Sequence, residues 1–124
     1  MRFMSVIKGP ELSEAPPQEL MDAIAQLGIE QSQNGTLVDT GGLTGTADRA
    51  RIRIKDGEIT VTDGPFTEAK EVIGGYAIME YATKEEAVEA AVRFMELHKK
   101  YWPGWEGEAE IGQVFGPNDA PHWE

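Results

Sequence analysis

The sequence predicts an α+β domain whose strands and helices follow in the order βαββαβ, with a β-hairpin inserted between the second and third of those strands. Three observations lead to this prediction. Two segments repeat apolar residues at the helical period, four shorter segments are typical of strands, and one Asp-Gly pair separates two alternating runs. The 124 residues suffice for one domain with a single core.

The first half of the chain begins with a predicted central strand at residues 2–8, which is apolar on both faces. A first helix is predicted over residues 16–33, because two prolines suit a first turn and apolar residues follow at helical spacing. Asn34-Gly35 is predicted to close it with a left-handed residue. Residues 36–40 form a short strand. The glycine-rich residues 41–45 form a loop that either turns tightly or lets another group approach the backbone.

Residues 49–63 contain the strongest local signal. Two alternating runs flank Asp56-Gly57, a pair typical of a type I′ turn. This register places Ile54 opposite Ile59 and makes one face of the hairpin apolar. The other face carries the bases Arg51, Arg53 and Lys55. Because a two-stranded ribbon is marginal alone, the apolar face is expected to lie either on the domain core or on another chain.

The second half begins with a predicted strand at residues 76–82. Thr83 and Glu86 match a capping box that starts the second helix, which extends to about Lys100. The predicted inward face of that helix carries Ala87, Ala91, Phe94, Met95 and His98. Residues 108–115 are the last strand. The predicted domain therefore covers residues 1–115, and residues 116–124 form a C-terminal tail without periodicity.

Without the hairpin, this order is the ferredoxin-like split βαββαβ arrangement, in which two helices cover one face of an antiparallel sheet. The other face is left uncovered although its strands are apolar on both sides. A second copy of the chain is the simplest cover, so a homodimer is expected.

The net charge of −11 argues against nucleic acid or an anionic membrane as a partner. The chain has no cysteine and therefore no thiolate chemistry. No stretch approaches the roughly 18 apolar residues of a membrane helix, and the start lacks a signal peptide, so a cytoplasmic location is expected. His98 and His122 are the two imidazoles and lack a zinc-ligand spacing, so neither a metal nor a cofactor is expected.

Residues 63–76, DGPFTEAKEVIGGY, resemble the signature of DGPF-domain proteins, a branch of the YCII-related family in the dimeric α+β barrel superfamily. The matching residues are Asp63, Gly64, Pro65, Phe66, Glu68, Lys70, Glu71, Gly74, Gly75 and Tyr76. The resemblance covers residues 1 to about 115. It implies a ferredoxin-like protomer, a dimer whose sheets face each other, and a cleft in each protomer. It implies no reaction. The His–Asp pair proposed for the wider group is not carried over, since the first strand region has no histidine.

Two residues are candidates for acid–base chemistry. Asp63 either forms a turn or acts as a base, and His98 either packs near the helix end or titrates in a cleft that both residues border. Candidate ligand-binding residues are Phe66, Lys70, Tyr76 and Tyr101, although an ion pair with a neighbouring glutamate is the more ordinary use of Lys70. The chain is therefore predicted to be a small-molecule-binding or accessory, regulatory module. The alternative is a small-molecule lyase, isomerase or hydrolase.

Overall fold

The computed structural model describes residues 1–119, which form a ferredoxin-like α+β domain. Its elements are β1 (Arg2–Gly9), α1 (Gln18–Gln33), β2 (Leu37–Gly42), a short 3-10 helix (Thr46–Asp48), β3 (Ala50–Lys55), β4 (Glu58–Asp63), β5 (Val72–Glu80), α2 (Lys84–Tyr101) and β6 (Glu108–Gln113). Four strands pair antiparallel in the order β2-β5-β1-β6, and β3 and β4 form a separate ribbon. The predicted order and the inserted hairpin are therefore confirmed.

The core lies between the sheet and the two helices. Phe3 of β1 is 1% exposed and lies opposite Met79 of β5, and both contact Ala87 of α2. Leu37, also opposite Met79, packs against this cluster and lies beside α1 at Gly28. Because cross-strand partners share a face, both helices lie on the Phe3 side of the sheet.

The opposite side of the sheet is called here the open sheet face. Its central side chains come from β1 and β5 and are half-buried in the single chain: Met4, Val6, Tyr76 and Ile78. In ferredoxin-like topology this face has no helical layer of its own, as the sequence predicted.

The C-terminus of α1 and the N-terminus of α2 are closed as their local sequences predict. Gly35 has a φ of 81°, and Thr36 N–H donates to the carbonyl of Gln31, which together make a Schellman closure of α1. Helix α1 begins two residues later than predicted, since Pro17 is its N-cap. At α2 the Thr83 hydroxyl accepts the Glu86 N–H at 3.2 Å, which confirms the predicted cap.

The structure of the glycine-rich residues 41–45 corrects the predicted loop. Gly41 and Gly42 lie within β2 and pair with β5, which begins at Val72 rather than at Tyr76. A Cβ atom at Gly41 would lie 3.0 Å from the Tyr76 ring, and one at Gly75 would lie 2.9 Å from the Gly41 carbonyl. These glycines therefore let neighbouring strands approach closely and do not form a turn.

The chain after β6 has a short turn in which Gly116 N–H donates to the Asp119 carboxylate at 2.6 Å. Strand β6 ends at Gln113, two residues earlier than predicted. The rest of the predicted tail, including His122, lies outside the described residues. Over residues 1–119, neither helix has the length and apolar composition needed to cross a membrane.

Candidate functional site

Two adjoining cavities follow α2 and share the lining residues Met95 and Lys99; together they are called here the α2 groove. The first, of about 500 Å³, lies between α2 and β6. Its apolar walls are Val88, Ala91, Val92, Met95, Ala109 and Ile111. The second, of about 460 Å³, lies at the C-terminal end of α2 beside His98, Trp102 and Trp105.

The aromatic end of the groove is built by the way α2 stops. Trp102 N–H donates to the carbonyl of His98 at 2.8 Å, and Trp105 N–H then donates to the carbonyl of Trp102 at 3.1 Å. Gly104, with a φ of 90°, reverses the chain. Trp105 consequently packs on Gly9 of β1, where a Cβ atom would lie 3.1 Å from the indole. The turn thus places both indoles beside the last residues of the helix.

His98 lies inside this cluster and is 7% exposed. Its ring centroid is 4.8 Å from that of Phe94 and 4.7 Å from that of Trp105. Its Nδ1 atom is 3.1 Å from the Phe94 carbonyl oxygen, which can only accept, so Nδ1 carries a proton. In the neutral ring Nε2 is then the acceptor, and in the charged ring it becomes a donor.

The structure does not bring Asp63 and His98 together. Asp63 ends β4, is exposed and lies opposite Ala50 in the hairpin ribbon, whereas His98 lines the α2 groove. Asp63 is not among the residues that line that groove. The α2 groove is therefore not the cleft that both residues were expected to border. A catalytic role for either residue alone stays a prediction.

The turn after Asp63 is held against the short 3-10 helix. Gly64 N–H donates to the Arg49 carbonyl at 2.8 Å, and a Cβ atom at Gly64 would lie 1.6 Å from the Thr46 carbonyl oxygen. Phe66 N–H donates to the Thr46 hydroxyl at 3.1 Å. Glu11 in turn accepts from Thr46. The first residues of the family-like motif therefore anchor the base of the hairpin.

The Phe66 ring and the Glu68 carboxylate both contact one side chain of β3. The Arg51 guanidinium lies 4.0 Å from the centre of the Phe66 ring and forms an ion pair with Glu68. This hydrogen bond from Arg51 lowers the pKa of the Glu68 carboxyl. Glu68 therefore pairs with Arg51 and not with Lys70, which is exposed.

The predicted ligand-binding tyrosines lie at separate places. Tyr76 is on the open sheet face, where its hydroxyl donates to Asp39 at 3.3 Å. Tyr101 is the last residue of α2, with Lys100 Nζ 5.1 Å from its ring. Neither tyrosine, nor Phe66 or Lys70, is among the side chains that line the α2 groove. The four predicted residues thus do not form one site.

An acidic cluster lies at the end of the sheet from which the hairpin emerges. Lys8 Nζ binds Glu110 at 2.8 Å, and this bond raises the pKa of Lys8. Desolvation, followed by the charge of Glu108, raises the pKa of Glu71. Across residues 1–119, no three or more histidine, cysteine or acidic side chains are grouped so as to hold a metal ion.

The sequence predicted Met95 only as an inward-facing residue of the second helix, and it selected none of Lys99, Trp102 and Trp105 as a binding residue. Their apolar and basic character is ordinary for a helix near its C-terminus, so no local signal marks a groove. Glu11 was also missed. Its partner Thr46 is 35 residues away, and no short pattern connects them.

Comparison with protein families finds a model of the YCII-related domain that matches residues 1–94, about three quarters of the 124-residue chain. The match spans β1 to the middle of α2 and includes the whole of residues 63–76. It ends before His98 and the two indoles, so the aromatic end of the groove lies beyond the matched region. No curated protein matches the chain.

Proposed function

This chain belongs to the YCII-related domain family, and from that premise we propose that it is an accessory or regulatory module that binds a small molecule without converting it. The α2 groove is the proposed binding site. The observation that supports it most is the continuity of an apolar wall with two indoles and the His98 imidazole.

The groove has the dimensions and composition of a small-molecule site. Each of its two parts falls in the range of roughly 300–1,000 Å³ over which such sites occur. The part between α2 and β6 is mainly apolar, and four charged side chains complete the lining of the groove: Lys84, Glu96, Lys99 and Glu106. Trp102 and Trp105, whose ring centroids are 5.8 Å apart, offer flat apolar surface. Lys99 lies at the junction of the two cavities and supplies a positive charge. The apolar and aromatic lining therefore suits a flat apolar molecule, and we propose that an acidic group on it binds Lys99 rather than the parts of the groove where Glu96 and Glu106 lie.

Binding without turnover fits the positions of the titratable groups better than catalysis does. The acid–base alternative, a lyase, isomerase or hydrolase, combined Asp63 with His98. An enzyme of that kind needs converging titratable groups in one pocket, and Asp63 lies outside the groove. His98 is instead committed through Nδ1 to the Phe94 carbonyl, which leaves one ring nitrogen to recognise a ligand.

The proposal includes a homodimer formed through the open sheet face. Met4, Val6 and Ile78 give the centre of that face an apolar character that water does not favour. A second copy placed on it would make the face-to-face dimer that the family resemblance implies. A cytoplasmic location is also part of the proposal, and cell fractionation of the tagged full-length chain tests it.

The groove is tested by titrating the chain with 8-anilinonaphthalene-1-sulfonate, a flat apolar anion, while following tryptophan emission and dye emission. Lys99→Met is compared with Lys100→Met, which removes the same charge from the next position, outside the groove. We expect Lys99→Met to weaken dye binding at least threefold and Lys100→Met to leave it unchanged. Equal affinities of both variants would contradict the proposed site.

Absence of turnover is tested separately. Carboxylate-containing small molecules are screened for a rise in Tm, and each one that binds is recovered after incubation and examined by mass spectrometry. Recovery of the unchanged molecule supports a binding module. A product that requires the folded chain would overturn this part of the proposal and favour the enzymatic alternative.

A further inference from the structure

The β3–β4 hairpin presents its apolar face to solvent. Its four central side chains are between 65% and 74% exposed: Ile52 65%, Ile54 74%, Ile59 69% and Val61 69%. Their register is the predicted one. Of the two predicted locations for this face, the domain core or another chain, the exposure excludes the domain core. In total they expose about 400 Å² of contiguous apolar surface, an area at which such a patch marks an interaction site.

The orientation of the hairpin is fixed by contacts of its polar face. Arg51 stacks on Phe66 and pairs with Glu68, and Gly64 N–H binds the Arg49 carbonyl at the hairpin base. Turning the isoleucines toward the body of the same chain would break these contacts. The apolar face therefore stays outward and needs a partner from outside the chain.

The charge distribution indicates which partner fits. Residues 49–63 carry four bases and three acids, a net charge of +1. The rest of the chain, called here the body, holds the remaining seven bases and 19 acids, a net charge of −12. Two bodies repel each other, and two hairpins gain nothing electrostatically. A hairpin against the body of another copy brings a slightly basic element to an acidic surface.

We propose that the hairpin is a dimerisation arm whose apolar face packs on the body of a second copy of this chain. This inference rests on the homodimer of the proposed function, to which it adds the contact made by each arm. A twofold dimer buries the apolar faces of two arms and the two surfaces that they cover, which makes four patches. Four patches of the estimated size amount to about 1,600 Å², the typical area of a stable interface.

Neighbouring residues on opposite faces of β4 provide a matched pair of variants. Ile59→Asn changes the apolar face, and Thr60→Asn changes the polar face with the same side chain and the same loss of β-propensity. Association of the full chain is measured by sedimentation velocity from nanomolar to micromolar concentration. Circular dichroism and the urea midpoint verify that each variant folds.

We expect a dimer whose Kd rises at least tenfold with Ile59→Asn, changes less than threefold with Thr60→Asn, and rises with salt concentration. A dimer that Ile59→Asn leaves intact would overturn the arm and preserve the dimer through the open sheet face. A Kd that does not change with salt would contradict the proposal that the arm covers the acidic surface of the body. A monomeric parent chain would overturn both dimer proposals, while dye binding in the α2 groove would still test the binding function.

Discussion

The Glu11 carboxylate accepts two hydrogen bonds from Thr46, one from the backbone N–H and one from the hydroxyl, each at 2.9 Å. Thr46 is 1% exposed, and its hydroxyl oxygen also accepts the N–H of Phe66. The connector after β1 is thereby joined to the turn that follows β4. The family motif is thus held in place by two residues outside it.

Thr46→Val should lower the free energy of unfolding by about 1–3 kcal/mol, since the isosteric side chain leaves the Phe66 N–H without its acceptor. Urea denaturation measures the change. Thr62→Val, an exposed position on β4, is the control and should stay within about 0.5 kcal/mol of the parent. If the two variants were equally stable, the Thr46 bonds would not hold the turn.

Gly64→Ala should be more costly, because the new Cβ atom would meet the Thr46 carbonyl oxygen at 1.6 Å and the backbone must move. A loss of about 2–4 kcal/mol is expected in the same urea assay. Gly112→Ala is the matched control, since nothing lies within 4 Å of its Cβ position. A Gly64→Ala protein as stable as the Gly112→Ala protein would show that the turn is not packed in this way.

The Arg51–Glu68 pair predicts how stability depends on pH. Arg51 lowers the pKa of Glu68 in the folded state below its ordinary value of 4.5. The stabilisation is therefore present above that value and is lost as the pH falls through the lowered pKa. Glu68→Gln should reduce the urea midpoint at neutral pH and have no effect in strong acid. A difference between parent and variant that does not change with pH would exclude this ionisation as its source.

Ionisation of Glu71 should lower the stability of the fold, whereas ionisation of Glu68 raises it. Desolvation and Glu108 raise its folded pKa above the ordinary 4.5, so its ionised form is disfavoured in the folded protein. That penalty is present above the raised pKa and disappears as the pH falls toward 4.5 and below. Glu71→Gln should therefore raise the urea midpoint at neutral pH but not at pH 4. A lower midpoint at neutral pH would mean that the favourable charge of Lys8 outweighs desolvation and the charge of Glu108.

The elements that sequence alone predicted are those whose determinants lie within a few residues. Thr83 and Glu86 are three positions apart, and Asp56-Gly57 fixes the register of Ile54 opposite Ile59. Gly41 and Gly42 show the limit of such reasoning. A glycine signals either a turn or a close approach of two chains, and only pairing with β5 decides between them.

The candidate site was harder to predict because it depends on contacts far apart in the sequence. The hairpin projects from the sheet because Thr46, Glu11 and Phe66 fix its base, and this separates Asp63 from His98. His98 was correctly placed on the inward face of its helix by periodicity. Its indole neighbour Trp105 depends on a reversal at Gly104, which no helical pattern specifies.

The hairpin turn gives a final prediction. Asp56 and Gly57 have φ values of 52° and 79°, and a β-branched residue strongly disfavours the second. Gly57→Val should destabilise the hairpin by about 1 kcal/mol or more, seen as faster amide hydrogen exchange in β3 and β4 and, for a dimerisation arm, as weaker association. Thr60→Val, in extended backbone on the polar face of β4, is the control and should change neither amide exchange nor association. Unchanged exchange in the Gly57→Val protein would mean that the turn tolerates the side chain, which would contradict this prediction.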